Sequence, residues 1–341
     1  MRILVAPDKF AGTLSAAEMC DAFSAGWGDR APDDRVDVQP MSDGGPGFLA
    51  ALAAAFEVAP TAVATTGSVG EPVTAQLLVV GDDGEGIAYV EAAQACGLGL
   101  APEPRRPLDA STAGVVALLE AALDSGAISV VVGVGGTAST DGGRPVVEAF
   151  AGRWPKDVAL VAATDVDAPL LGPSGAARSF GPQKGASDEE VDLLERRLAA
   201  WAESGSVDPS SSGAGAGGGL GYGLLRLGAT RVSGAALVAD AVGLADRVAA
   251  ADLVVTGEGR LDFSSLRGKV VSHVAGVATA SATPCLVLAG GSSVGRREAA
   301  TAGIDEIYAL DEIVGHEAAL ARPVQSVRQA AAAMAGDWSR R

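Results

Sequence analysis

The chain has 341 residues, 48% of them hydrophobic and 4% aromatic, and a net charge of -17. That length accommodates two domains whose cores need no disulfide or metal staple. The acidic balance excludes nucleic acid and anionic membranes as partners, since both demand basic surface.

Cys20, Cys96 and Cys285 stand far apart without ligand spacing, and histidine occurs only at His273 and His316. A cysteine- or histidine-based metal centre is therefore not expected. The opening MRILVAPDKF is too short an apolar run for a leader, and no run is long enough to span a bilayer. The expectation is a cytoplasmic protein. Lysine occurs only at Lys9, Lys156, Lys184 and Lys269. An anionic substrate must then meet locally placed cations, helix N-termini or a metal ion.

In chain order, Ile3–Ala6 reads as a buried strand followed by the loop PDKFAGTL, and a helix opens at Ser15 with a Ser15/Glu18 capping box. Val36–Gln39 is a strand before PMSDGGPG and the helical run Phe48–Phe56. Val73–Val80 and Ile87–Glu91, joined by GDDGEG, form a hairpin pattern. Ser111 caps a helix over Ala113–Leu123, and Ile128–Val132 leads into GVGGTASTDGG. Val158–Ala163 runs into TDVDAPLLGPSGA, with a second capping box at Ser187 and Glu190. The glycine run GAGAGGGLG opens a helix from Leu220. Leu253–Thr256 precedes GEGRLDF and a helix near Val270–Thr279; Pro284–Ala289 precedes GGSSVGRRE; Ile304–Ala309 and a helix near Val324–Ala335 close the chain.

Strands alternating with helices at this spacing indicate parallel βαβ units, whose ligands bind beyond the carboxyl ends of the strands. The expected fold is α/β, a Rossmann-like parallel-sheet domain with a second α/β domain inserted. Residues 1–65, 105–150 and 245–341 are assigned to the first, and 66–104 with 151–244 to the second.

Each loop has a bland and a chemical reading. Asp8 and Lys9 form either a surface ion pair or a device that orients a hydroxyl. SDGG and STDGG each place an Asp, Asp43 or Asp141, before a Gly pair; one copy is an ordinary turn signal, but two in equivalent places point to chemistry. Asp165 and Asp167 end a strand as a solvated turn or a Mg²⁺ site. Lys184 lies among glycines, where a point cation can meet phosphate. Glu258, Asp262 and Lys269 offer two carboxylates and a cation after one strand. No GxxxxGK[ST] occurs. Phosphate cradles, carboxylates and scarce lysines without a histidine base favour phosphoryl transfer, which is mostly positioning and charge neutralisation.

Taken in order, APDKF-GTLSA, PMSDGGPG, GVGGTASTDGG, TDVDAPLLGPSGA, FGPQKGA, GAGAGGGLG and VVTGEGRLD-SSLRGK resemble the type I glycerate kinase family over nearly the whole chain. FGPQKGA and GEG-LD---L-GK are the specific blocks. The resemblance implies ATP- and Mg²⁺-dependent phosphorylation of D-glycerate, usually to 2-phosphoglycerate. On that reading Asp8, Lys9, Ser42 and Asp43 bind the substrate. Gly135, Gly136, Thr137, Asp141, Gly217, Gly218 and Lys269 bind the nucleotide. Asp165, Glu258 or Asp262 hold Mg²⁺, and Asp43, Asp165 and Lys184 are catalytic.

Several loop positions depart from the family pattern: Ala11 for Lys, Pro46 and Phe48 for an acid and a Thr, Ala168 for Asn, Arg144-Pro145 for small residues, and Ser264-Ser265 for Gln-Thr. These are expected to alter substrate preference. They leave open a catalytically weak relative that binds a nucleotide or metabolite in a regulatory role. A nicotinamide oxidoreductase has only the fold in its favour.

Overall fold

A computed structural model describes residues 1–10, 12–81 and 85–339. Ala11 and the centre of the GDDGEG loop, on which two of the readings above fall, lie outside them. In chain order the strands are β1 (Arg2–Val5), β2 (Arg35–Val38), β3 (Thr61–Thr66), β4 (Pro72–Val80), β5 (Ile87–Glu91), β6 (Ser129–Gly133), β7 (Ala159–Ala163), β8 (Thr230–Val232), β9 (Leu253–Glu258), β10 (Cys285–Ala289) and β11 (Glu306–Ala309). They fall into two compact units, Met1–Asp43 with Ala235–Arg341, and Gly44–Gly234.

The first unit is built on a sheet of order β11-β10-β9-β1-β2, parallel throughout. Ile3, Val5, Leu253, Val255, Leu286 and Leu288 pack on one core with Phe23, Trp27 and Val327. Leu4, Val254 and Val287, which point to the opposite face, are also buried. Both faces are covered, which is why these strands read as unbroken apolar runs. Helix Ala16–Arg30 starts at the expected capping box: the Ser15 side chain accepts from the Glu18 N–H, and Glu18 accepts from the Ser15 N–H at 2.8 Å. It packs against the C-terminal helix Pro323–Trp338. The chain leaves β1 towards β2 on one side and leaves β9 towards β10 on the other. The two departures diverge at the carboxyl ends of β1 and β9, where doubly wound sheets bind ligands.

The second unit carries a sheet of order β3-β4-β5-β6-β7-β8. The β3-β4-β5 portion is antiparallel, including the expected hairpin, and β5 to β8 are parallel. Helix Asp188–Glu203 begins at the Ser187/Glu190 capping box and buries Val191, Leu194 and Leu198 against Leu170, Ala176 and Tyr222.

The chain is thus α/β, a Rossmann-like sheet with a second α/β unit inserted. The division differs from the assigned boundaries: 44–65 and 105–150 lie in the inserted unit, and 235–244 in the first. The strand-helix alternation around β6 reads the same in either sheet. What places β6 is its pairing with β5 and β7, a long-range choice that local pattern does not encode. Among the described residues, no helix is long and apolar enough to cross a membrane.

Candidate functional site

In the first unit, the loop after β1 is stitched to its neighbours by backbone. Asp8 N–H donates to the Gly257 carbonyl at 2.8 Å, and Met41 N–H donates to the Pro7 carbonyl at 2.9 Å. This brings Asp8, Lys9, the wholly buried Ser42 and Asp43 together. Lys9 Nζ lies 3.4 Å from Asp8 Oδ1 and 3.3 Å from Asp43 Oδ1. Burial, then the Asp43 charge, pushes the Asp8 pKa up to about 6 despite the ammonium of Lys9. Burial works against the charge on Lys9, but Asp43 and Asp8 outweigh it and hold its pKa above the ordinary lysine value.

Glu258 ends β9, the neighbour of β1 at the point of divergence. Burial pushes its pKa up to about 7, opposed by the Ser265 hydroxyl and the Lys269 charge and assisted by Asp8 and Asp262. Its Oε1 is buried with no hydrogen-bond partner. Asp262 is differently engaged. Its Oδ1 accepts from the Ser264 N–H at 2.7 Å, the Ser264 hydroxyl at 2.6 Å and the Ser265 N–H at 3.3 Å. These bonds, the Ser264 hydroxyl first, hold its carboxyl below the usual range. Ser264 and Ser265, the departures from Gln-Thr, therefore form this turn. Lys269 is the N-cap residue of helix Val270–Ala280, and its charge lowers the pKa of both Glu258 and Asp262.

The second unit gathers the other candidates. Lys184, in the short turn Pro182–Lys184, is 4% exposed, and its Nζ donates to the Ser139 carbonyl oxygen. Burial pushes its pKa down to about 8, with Cys96 and Asp141 opposing. Gly217, Gly218 and Gly219 interrupt helix Ala216–Arg226 with left-handed conformations. At Gly218, φ is +66°, and a Cβ there would collide with the Ser139 carbonyl oxygen and lie 2.8 Å from Lys184 Nζ. Only glycine lets the backbone pass this close to the ammonium. In the loop that supplies the Ser139 carbonyl, the Thr137, Ser139 and Thr140 hydroxyls are buried without hydrogen-bond partners among the described residues. Groups of this kind call for an absent acceptor or donor.

Other expected residues are placed where their side chains, or lack of them, serve the fold. Gly135 N–H donates to the Gly44 carbonyl at 3.0 Å, and a Cβ on Gly136 would lie 2.5 Å from Pro46 Cδ. Asp141 is consumed as a latch: Oδ2 accepts from Thr112 N–H at 2.7 Å and the Ser111 hydroxyl at 3.2 Å, and Oδ1 from Gly143 N–H at 3.1 Å. It thereby ties its loop to the start of helix Ala113–Asp124, while burial raises its pKa against those donors. Asp165 is half-buried just beyond β7. Its neighbour Asp167 pairs with Arg231 at 2.6 Å and accepts from the Ser212 hydroxyl. No group of three or more His, Cys, Asp or Glu is gathered to hold a metal ion among the described residues.

Two of the altered positions pack within the inserted unit, Phe48 in its core and Arg144 on its surface. Phe48 is fully buried, fills the space left by Gly133 at 2.8 Å and meets the Tyr89 ring edge-on. Arg144 pairs with Glu148 at 2.7 Å and lies over the Trp201 ring, 5.6 Å from its centre, while Arg226 lies 4.0 Å from the same centre. Phe48 is thus part of the core of the inserted unit, and Arg144 makes exposed contacts on its surface. The sequence reading also passed over Ser139, whose carbonyl fixes Lys184, and Ser68, another buried hydroxyl without a partner. Only three-dimensional burial distinguishes such serines.

Residues 3–154 and 151–339 match the model of the glycerate kinase family. An uncharacterized protein of Mycobacterium bovis is 43% identical over 328 residues, covering 92% of this chain and 85% of its own length. Glycerate 2-kinase of Escherichia coli is 35% identical over 351 residues, 92% of each chain. The crystal structure of a putative glycerate kinase 2 from Salmonella typhimurium superposes with a TM-score of 0.73 at 32% identity, covering 99% of this chain and 98% of the other.

Proposed function

The chain belongs to the glycerate kinase family, and on that premise we propose that it transfers the γ-phosphoryl group of ATP to a hydroxyl of glycerate or a closely related hydroxy acid. The observation that carries this reading is the cluster at the diverging ends of β1 and β9. There Asp8, Lys9, Asp43 and Glu258 are held in the sheet crevice with two carboxyl pKa values pushed up to about 6 and about 7. Carboxyls tuned towards neutrality suit proton transfer at the pH of the cell.

In the transfer, the acceptor hydroxyl oxygen bonds to the γ-phosphorus, the bond to the bridging oxygen of ADP breaks, and the hydroxyl proton must leave. Asp8, buried yet ionised above pH 6, is the group suited to take that proton. Asp43 and Lys9 fix its position and orient the acceptor. In the inserted unit, Lys184 with the Thr137, Ser139 and Thr140 hydroxyls and the Gly217–Gly219 turn is suited to phosphate oxygens. Lys269 supplies charge beside Glu258.

Mg²⁺ fits the residues present. Glu258 offers a buried carboxylate oxygen with no protein partner, and Asp262 shares its loop with one oxygen committed to the turn. One or two carboxylates suffice for Mg²⁺, which keeps waters and phosphate oxygens as its other ligands. Bound there, it would neutralise charge on the phosphates. A role for Asp165 in metal binding or catalysis rests on its place just beyond β7 and on the family resemblance. The buried free thiols Cys20, Cys96 and Cys285 suit a reducing cytoplasm.

The test is ADP release measured across a panel of small hydroxy acids with MgATP. Turnover with glycerate at the highest kcat/KM is expected. Nucleotide binding without turnover of any acid would remove the kinase reading in favour of a regulatory binding protein.

A further inference from the structure

Lys184 also lines a narrow cleft within the inserted unit that the phosphate-cradle reading leaves unused. Ser68, Pro102, Arg105 and Arg106 form its other walls, and the space between them admits about one water molecule. Arg105 is anchored to the turn that presents Lys184. Its Nη1 donates to the Gln183 carbonyl at 2.7 Å and its Nε to Glu103 Oε1 at 2.9 Å, while Nη2 has no acceptor among the described residues. Ser68 is 2% exposed, and its hydroxyl lacks a partner. Its backbone is fixed by the Ser111 N–H, which donates to the Ser68 carbonyl at 2.8 Å. The Lys184 ammonium has three donors and one protein acceptor.

The carboxylates that offset the two arginines, Glu103 and Asp109, are 69% and 57% exposed, so they neutralise the rim rather than the interior. Arg106, 58% exposed, spends its Nε and Nη2 on Asp109 at that rim. In a chain of net charge -17, the Arg105 guanidinium, the Lys184 ammonium and a spare hydroxyl still concentrate donors on one cleft. Planar forked donors beside a point cation are the complement of an oxyanion.

We infer that this cleft binds a small oxyanion group of the ligand, with Arg105 and Ser68 completing the donor set that Lys184 begins. The oxyanion is the carboxylate of the acceptor acid or a phosphoryl group of the nucleotide. Entry displaces the water-sized void and swings the Arg105 side chain, which is 34% exposed, outward from the rim. The identity of the ligand rests on the kinase reading; the capture of the anion does not.

The experiment is a titration of orthophosphate, pyrophosphate and glycerate into the full chain and its Arg105→Gln, Arg105→Lys and Ser68→Ala variants. The unfolding midpoint of each variant is recorded alongside. Arg105→Gln is expected to weaken binding about tenfold or more, with Arg105→Lys recovering part of the loss. Ser68→Ala is expected to weaken it about threefold without lowering the midpoint, because the hydroxyl it deletes has no partner in the free protein. A merely structural serine would not separate the two readouts. Loss confined to glycerate assigns the carboxylate, and loss confined to phosphate and pyrophosphate assigns the phosphoryl group. Affinities unchanged in both Arg105→Gln and Ser68→Ala, or a wild type that binds none of the three, overturn the inference. Absence of turnover with Arg105-dependent anion binding intact would instead remove the kinase reading and leave the cleft standing.

Discussion

Lys9 Nζ lies 3.3 Å from Asp43 Oδ1, and Asp8 is held on its other side at 3.4 Å. One ammonium thus keeps two carboxylates of like charge in the same crevice. Replacing it by Lys9→Met leaves Asp8 and Asp43 to repel each other, so the Asp8 pKa rises above its present value of about 6. The acid limb of kcat/KM is expected to move to higher pH, with the plateau reduced about a hundredfold. A pH profile that keeps its acid limb in place would exclude Asp8 as the proton acceptor.

Glu258→Gln separates stability from activity. The folded-state pKa of Glu258 is raised from 4.5 to about 7, first by burial. Between these values the folded chain holds a proton that the unfolded chain has lost, so stability falls as pH rises through the window, and the full cost persists above it. Asp8 acts in the same direction between 3.8 and about 6. Removing the Glu258 charge should raise stability at pH 8 by roughly 1–3 kcal/mol, allowing for partial exposure, and flatten the slope above pH 6. Turnover should be lost in the same variant. Urea denaturation at pH 5 and pH 8 checks the first claim; equal midpoint changes at both values would refute it.

Lys184 is linked to pH with the opposite sign. Its pKa is lowered from 10.5 to about 8, first by burial. Between about 8 and 10.5 the unfolded chain carries a proton that the folded one lacks, and stability rises with pH across that range. Lys184→Met should abolish this rise, and anion affinity in the wild type should decline as pH passes 8. Thermal melts from pH 7 to pH 10 in low-phosphate buffer read the first effect directly. A slope shared by wild type and variant would reassign it to another group.

Much of this was legible in the residues. The parallel sheet announced itself through apolar runs such as Leu253–Thr256 ending in polar loops, and both capping boxes formed where Ser-x-x-Glu stands. What the residues did not disclose was occupancy. Asp43 and Asp141 head near-identical SDGG and TDGG loops, yet Asp43 faces an ammonium while Asp141 spends both oxygens on Ser111, Thr112 and Gly143. Apart from Gly143, the partners lie some thirty residues away in sequence, beyond the reach of spacing. Phe48 opens the expected helical run, but the pattern did not disclose that its ring is wholly buried. Arg105 lies in a Pro-rich turn nearly eighty residues from Lys184, and its link to that turn runs through the Gln183 carbonyl, which spacing does not reveal.

Gly218→Ala tests the close approach beside Lys184. Alanine at φ +66° is strained, and its Cβ would meet the Ser139 carbonyl and the Lys184 ammonium at 2.8 Å. The backbone strain alone costs roughly 1–3 kcal/mol, to which the collision adds. A lowered urea midpoint with anion affinity reduced at least tenfold is expected. Gly228→Ala, where the left-handed φ of +91° has no neighbour within 4 Å of the added methyl, should show the strain without the loss of affinity.

Arg144→Gly asks whether an altered loop position governs the substrate. The Arg144 side chain is 62% exposed, pairs with Glu148 four residues on and lies over Trp201. An exposed pair of this kind and a distant cation-ring contact contribute about 1 kcal/mol or less together. Trp201 would remain fixed, since its Nε1–H donates to the Gly142 carbonyl at 3.1 Å and Arg226 still covers its ring. The substitution should therefore lower the unfolding midpoint slightly and leave KM for both substrates within twofold of wild type. A KM for the acid that changes tenfold, with stability unmoved, would make Arg144 a determinant of substrate choice and overturn its assignment to the packing of the inserted unit.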